Sequence, residues 1–282
     1  MRECVHSFLQ FYGEDTMAKK KSKNSLTEFK LPNRKQPIFS FFSKIFFRPI
    51  FGAKLESLID ELPDKAIIVS IHAAKTGPMA ISMTYPKFSA MWGHHGMLGN
   101  YKERFCYLRN VLYIQKMHKN KFIATLKALY EAVFSVFIYK GMKIIGTYTD
   151  MRLLSTIRNS IGVLDEGASV IIYPEDSSEG YFDEIRSAFP GFVMLAETYY
   201  NKRGEDVPVI PAYISRKKKR FIIGEPKYVH EMQKSGLSRQ EVADKMKDEI
   251  NDLYRKFILT DAETAVTVKD APVRDKAYYG EE

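Results

Sequence analysis

Short apolar runs, separated by turns and by helical patterns, constrain the fold of this chain most. Residues 65–71 (Lys-Ala-Ile-Ile-Val-Ser-Ile) follow Pro63-Asp64 and are rich in β-branched side chains, as is typical of a buried strand. Comparable runs occupy residues 142–147, 168–173, 207–215 and 221–223. Between residues 153 and 164 the apolar side chains recur every three or four positions until Gly167, which predicts a helix. Strands that alternate with helices predict an α/β sandwich whose largely parallel sheet is flanked by helices.

The remaining segments divide the chain into one folded domain and its appendages. At 282 residues with 45% hydrophobic content, the chain can bury one sizeable core. We assign residues 53–258 to this domain, whose last helix begins at a capping box formed by Ser238 and Glu241. Residues 1–36 are polar and basic without a sustained period, and residues 259–282 lose periodicity, so both are expected to be flexible tails.

Two apolar segments bear on membrane contact. Residues 37–52 contain six phenylalanines, but Lys44, Arg48 and Pro49 interrupt them, so the segment is too short to span a bilayer and is expected to be an interfacial anchor. Residues 122–139 carry only Lys127 and Glu131 as charges, each of which would cost roughly 2.5–3.5 kcal/mol near mid-bilayer. This second pattern favours a buried or surface-dipping helix over a spanning one.

The net charge of the chain bears on its partners. A formal charge of +9 and a pI near 9.2 suit an anionic partner, which could be a lipid surface, a phosphorylated substrate or nucleic acid. Neither zinc-finger spacing nor an aromatic-basic stacking motif is present, which disfavours nucleic acid. Residues 1–16 also lack the pattern of a signal peptide. We therefore expect a peripheral protein on the cytoplasmic face of a membrane, with the lipid surface as its partner.

Metal and cofactor chemistry is not predicted. His94 and His95 are adjacent and have no spaced third ligand, which is a weak metal signal. Cys4 and Cys106 form no CxxC pair, so a thiolate zinc site is not indicated either.

Residues at the ends of predicted strands are the candidates for chemistry. His72 follows the first strand run, at the strand end where ligands bind in open α/β sheets, although a lone histidine there could also be structural. Glu175 follows a later run and could contribute to a site or merely cap a turn. Ser177 and Ser178 are either turn formers or substrate contacts. Arg152 could bind a phosphate or form an ion pair with Asp150.

The order of these elements over residues 65–223 resembles the lysophospholipid, or 1-acylglycerol-3-phosphate, acyltransferase family. In that family a His is followed five residues later by an Asp, and here the His is His72 while Gly77 occupies the Asp position. A Phe-Pro-Glu-Gly-Thr-Arg-Ser block corresponds to residues 173–178, with Pro174 and Glu175 kept and with Asp176 and Ser178 in place of the Gly and Arg.

Two further blocks complete the resemblance. The family's arginine in its second block falls near Thr147, so Arg152 is the nearest candidate, and Val207 with Pro211 matches the fourth block. The resemblance implies a glycerolphosphate-acyltransferase-like sandwich and makes residues 53–258 an acyltransferase-like domain.

The resemblance also implies an activity. The enzyme would transfer an acyl group from a thioester donor, coenzyme A or acyl carrier protein, to a lysophospholipid or related glycerol hydroxyl at the membrane surface, without a cofactor. His72 would be the base, with Glu175 as the second catalytic residue. The substrate-binding residues implied are Arg152, Pro174, Asp176, Ser177, Ser178 and Gly77. The alternative is a catalytically impaired acyltransferase-like protein that binds a membrane or a partner.

The missing aspartate leads to one geometric expectation. A base needs its imidazole held in one tautomer, and Gly77 has no side chain to do so. We expect a main-chain carbonyl, or the carboxylate of Glu175 or Asp176, at about 2.6–3.2 Å from one ring nitrogen of His72.

Overall fold

The computed structural model describes residues 37–259 apart from Thr149 and Glu179. The tails expected at residues 1–36 and 260–282 lie outside the described residues. The centre of the domain is a seven-stranded sheet in the order β1-β7-β6-β2-β5-β3-β4. Its strands are β1 (Lys54–Ser57), β2 (Ile67–Ser70), β3 (Ser89–His94), β4 (Ile144–Thr147), β5 (Ser169–Ile172), β6 (Val209–Ser215) and β7 (Arg220–Ile223).

The sheet is largely parallel, as predicted. Every neighbouring pair of strands is parallel except β6 and β7, which form an antiparallel pair across the basic turn. The five predicted strands are confirmed. The sequence did not predict β1, a four-residue edge strand, or β3, whose residues Ser-Ala-Met-Trp-Gly-His include no β-branched side chain.

Nine α-helices flank the sheet within the described residues. They are α1 (Pro37–Phe42), α2 (Arg48–Phe51), α3 (Gly77–Thr84), α4 (Tyr101–Cys106), α5 (Lys121–Gly141), α6 (Leu153–Asp165), α7 (Gly191–Arg203), α8 (Val229–Lys234) and α9 (Arg239–Phe257). Two π-helical segments, Ser43–Phe47 and Tyr107–Lys116, continue α1 and α4. The predicted capping box is present, since Ser238 and Glu241 each accept a hydrogen bond from the other's main-chain N–H. Gly167 ends the α6 region in the left-handed conformation, with φ of 67°.

The three central strands are buried on both faces. All residues of β2, β5 and β6 are buried, and each large aliphatic side chain among them contributes roughly 1.5–3 kcal/mol through its burial. Because β2 and β5 are parallel neighbours, their carboxyl ends meet at one edge of the sheet. The residues that follow them, His72 and Tyr173, therefore lie side by side above that edge.

Helix α5 was predicted to be either buried or surface-dipping. It is the one helix among the described residues long and apolar enough to cross a membrane by length and composition. Its small residues Ala124, Ala128 and Ala132 are buried, while large side chains such as Phe122 and Tyr130 are exposed. Helix α5 is therefore not buried in the core, and of the two predicted alternatives the surface-dipping helix remains.

Candidate active site

The turn after β2 determines the orientation of His72. Ala73 and Ala74 have φ angles of 46° and 57°, so two successive non-glycine residues adopt the left-handed conformation. The chain therefore folds back, and the Ala74 carbonyl oxygen lies 2.6 Å from His72 Nδ1. Because a carbonyl can only accept, the neutral ring carries its proton on Nδ1 and its lone pair on Nε2. The expected oxygen near one ring nitrogen is present, and it is a main-chain carbonyl.

Gly77 explains why an aspartate cannot serve this purpose here. A Cβ atom at Gly77 would overlap the carbonyl oxygen of His72, because the first turn of α3 passes directly beneath that carbonyl. In this backbone the position excludes any side chain. The Ala74 carbonyl thus orients the ring without an aspartate, and Gly77 permits the tight turn that brings it there.

Glu175 holds the main chain of His72. Its side chain is buried, and Oε2 accepts a hydrogen bond of 3.1 Å from the His72 main-chain N–H. The segment around Glu175 is itself fixed, since Asp176 N–H donates to the Ser187 carbonyl and Phe189 N–H donates to the Pro174 carbonyl. The carboxylate therefore connects the loop after β5 to the turn after β2.

Two tyrosines restrict the plane of the His72 ring. The Tyr181 ring stacks on it with centroids 5.0 Å apart, and the Tyr173 ring meets it edge-on at 5.1 Å. Tyr181 comes from an irregular loop and could not be predicted from the sequence. The imidazole is thus fixed by a carbonyl within its plane and by aromatic rings beside it.

Lys116 is a site residue that the sequence did not reveal. It is the last residue of the π-helix Tyr107–Lys116, an uncommon helix type found frequently at functional sites. Its Nζ donates to Ser177 Oγ at 2.6 Å and lies 5.6 Å from the Tyr181 ring centroid. Burial lowers the pKa of Lys116, and the nearby charges of Glu175 and Asp176 offset part of that effect. The site therefore contains a half-buried ammonium beside the ring that stacks on His72.

The loop after β5 brings most of the predicted site residues together. Pro174, Glu175 and Asp176 come one residue after the end of β5, and Ser177 accepts the Lys116 hydrogen bond. Ser178 is exposed, and its main-chain N–H donates to Asp176 Oδ1 at 3.0 Å, which forms a local turn.

Arg152 lies apart from this group. It forms an ion pair with Asp150, in which Nη2 lies 2.8 Å from Oδ2, as the alternative interpretation of Arg152 predicted. Its guanidinium also lies over the Tyr148 ring. It follows β4, which is three strands from β2, or roughly 14 Å at the usual strand spacing. Its predicted role as a phosphate contact is therefore possible only for a ligand that extends along the sheet edge.

The two adjacent histidines stack between tyrosines. Ring centroids lie 4.1 Å apart for Tyr107 and His94, 4.5 Å for His94 and His95, and 4.6 Å for His95 and Tyr148. Burial, with smaller effects of His95 and Lys116, lowers the pKa of His94 to about 3, so this ring is neutral. Among residues 37–259, outside the two gaps, no group of three or more His, Cys, Asp or Glu side chains is placed to hold a metal.

Comparison with known proteins yields a likeness in structure and none in sequence. No protein-family model matches the sequence, and no curated protein sequence matches it. Among solved structures, the chain is similar to the 1-acyl-sn-glycerophosphate (LPA) acyltransferase PlsC from Thermotoga maritima. The two share 13% identity over 79% of this chain and 80% of that chain, with a TM-score of 0.44.

Proposed function

We propose that this protein transfers an acyl group from an acyl thioester to a hydroxyl group of a lysophospholipid or related glycerol acceptor at a membrane surface. The observation that carries the proposal is the hydrogen bond between His72 Nδ1 and the Ala74 carbonyl. It keeps a lone pair on Nε2 of a ring at the ligand-binding edge of a parallel sheet. A neutral histidine in that tautomer can accept a proton at Nε2 and so act as a general base.

The reaction follows from this arrangement. His72 Nε2 takes the proton of the acceptor hydroxyl as its oxygen attacks the thioester carbonyl carbon and forms the new C–O bond. The tetrahedral intermediate then collapses, the C–S bond breaks, and the leaving thiolate takes the proton from the imidazolium. Because the thioester is already activated, the reaction requires neither a metal nor a redox cofactor. Coenzyme A and acyl carrier protein are both suitable donors.

Glu175 and the tyrosines act by positioning His72. Glu175 fixes the main chain of the histidine through its N–H, while Tyr173 and Tyr181 limit rotation of the ring. A base within reach of the hydroxyl is efficient only when it is held in the attacking geometry.

Lys116 suggests an anionic acceptor. Removal of an ammonium from water is costly, and among the described residues the hydrogen bond to Ser177 supplies one acceptor for its three protons. A phosphate group beside Lys116 and Ser177 would supply the others. In this proposal Asp176 and Ser178 shape the loop, Pro174 and Gly77 shape the two turns, and Arg152 contacts an acceptor that extends toward β4.

The proposal is tested by removing the base. His72→Ala should lower the rate of thiol release from palmitoyl coenzyme A, in the presence of lysophosphatidic acid, by about 10²- to 10⁴-fold. His230→Ala is the matched control, because His230 lies in α8 and stacks on Tyr200. Equal rates for the wild type and folded His72→Ala protein would favour the acyltransferase-like binding protein instead.

A further inference from the structure

Helix α5 packs on the domain through small residues and exposes large ones. Ala124, Ala128, Ala132 and Ser135 are buried on one side. On the other side Phe122 is 72% exposed and Tyr130 is 69% exposed. Ordinary surface helices of soluble proteins turn their large apolar side chains inward, so α5 shows the reverse pattern.

Residues 38–50 extend this exposed surface. Phe41 and Phe46 are exposed there, as are three isoleucines of the same segment. The segment is joined to α5, since the rings of Phe39 and Phe42 lie 5.6 Å and 5.9 Å from the Phe137 ring. Phe39 also occupies the space left by Gly141, where a Cβ atom would overlap its ring. We call the exposed apolar side chains of α5 and of residues 38–50 the apolar face.

The charges on these two segments indicate what the apolar face binds. Their one carboxylate, Glu131, forms an ion pair with Lys75 in the turn that follows His72. The exposed charges are Lys44, Arg48, Lys121 and Lys140, which are all positive. An anionic lipid surface complements such a face. A second copy of this chain would instead bring like charges together.

The topology makes α5 lie along a membrane surface rather than cross it. The helix belongs to the connection between β3 and β4, which are neighbouring parallel strands of one sheet. Its inner side is bonded to the domain, where the buried Arg104 donates from Nε to the Ala132 carbonyl at 2.9 Å. A helix with both ends returning to the same sheet cannot span a bilayer without carrying the sheet into it.

We propose that the apolar face inserts into one leaflet of an anionic bilayer, with α5 and residues 38–50 side by side in the interface. Helix α5 and Phe51, the residue that follows the second part of the face, are both bonded to the turn after His72. Glu131 of α5 pairs with Lys75, and Arg216 bridges the Phe51 carbonyl, at 2.5 Å from Nη1, and Thr76 Oγ1, at 3.3 Å from Nε. This inference deepens the proposed function, because it brings the active site to the leaflet that supplies the lipid acceptor.

The test measures flotation of the full chain with vesicles of phosphatidylcholine and phosphatidylglycerol. Phe134→Asp on α5 should weaken binding at least tenfold, because a carboxylate would enter the apolar interior of the leaflet. Leu58→Asp is the matched control, because Leu58 is also an exposed apolar residue. It follows β1, which is antiparallel to β2, so Leu58 lies at the edge of the sheet opposite to His72. Lys44→Ala with Arg48→Ala should weaken binding to anionic vesicles roughly tenfold or more and leave binding to pure phosphatidylcholine unchanged.

The outcomes separate this inference from the proposed chemistry. His72→Ala should bind vesicles as the wild type does, so a loss of activity alone leaves the inference intact. Unchanged binding by a folded Phe134→Asp protein would overturn it, as would a wild type that fails to float and instead forms a dimer through this face. Circular dichroism establishes that each variant is folded.

Discussion

The carboxylate of Glu175 accepts a hydrogen bond from the main-chain N–H of His72, across the gap between two neighbouring strand ends. This contact joins residues that are 103 positions apart in the sequence. It fixes the backbone turn after His72, and that turn orients the imidazole. The position of the base thus depends on an interaction with its main chain as well as on contacts of its ring.

Glu175→Gln and Glu175→Ala should therefore differ. An amide oxygen can still accept the His72 N–H, so Glu175→Gln should keep most of the wild-type kcat. Glu175→Ala should lower kcat at least tenfold and destabilise the protein by about 1–3 kcal/mol, because a buried N–H loses its partner. Urea unfolding and steady-state kinetics measure both effects. Equal loss of kcat in the two variants would show that the charge of Glu175 matters instead.

Gly77 provides a prediction about the missing aspartate. Gly77→Asp should destabilise the fold by more than about 2 kcal/mol and should not raise activity, since its Cβ would overlap the His72 carbonyl. Gly162→Ala in α6 is the matched control, because nothing lies within 4 Å of a Cβ atom there. The control should gain about 0.5–1 kcal/mol of stability in thermal unfolding. An active and stable Gly77→Asp protein would refute this geometry.

Lys116→Met should weaken binding of a phosphorylated acceptor and leave binding of an acceptor without phosphate unchanged. The KM for lysophosphatidic acid should rise at least tenfold, while the KM for a monoacylglycerol without phosphate should stay within twofold. Lys217→Met in the exposed basic turn is the control and should change neither.

The same variant predicts a pH effect on stability. Burial lowers the pKa of Lys116 below its ordinary value of 10.5, so the unfolded chain binds that proton more tightly than the folded protein does. Lys116→Met should then gain stability relative to the wild type at pH 7, and this gain should shrink as the pH rises toward 10.5. A less stable variant at pH 7 would contradict the desolvation argument.

His94 should make the folded protein sensitive to acid. Its pKa falls from 6.5 to about 3 on folding, so between these pH values the proton binds preferentially to the unfolded chain. The free energy of unfolding therefore decreases as the pH is lowered through this range. His94→Phe keeps an aromatic ring and removes the titration. Between pH 8 and pH 5, the wild type should lose about 2 kcal/mol more unfolding free energy than the variant. Parallel pH profiles from urea titrations would show that His94 does not titrate in this way.

The sequence predicted those parts of the site that local patterns determine. The β-branched runs of β2 and β5 identified both strands, and their ends identified His72 and Glu175 as candidates. The Ala74 carbonyl, Tyr181 and Lys116 reach the site through a left-handed turn, an irregular loop and a π-helix. No residue pattern specifies these. Strand β3 was not found because it contains no β-branched residue. The exposure of α5 could not be distinguished from burial by hydropathy alone.

The most direct measurement follows a labelled acyl chain into its product. Wild-type protein and His72→Ala would be incubated with deuterated palmitoyl coenzyme A and anionic vesicles that contain lysophosphatidic acid, and the lipids analysed by mass spectrometry. We expect deuterated phosphatidic acid from the wild type, and a yield at least a hundredfold lower from His72→Ala. Absence of any labelled diacyl lipid with folded, vesicle-bound wild type, or equal yields from both proteins, would contradict acyl transfer by His72.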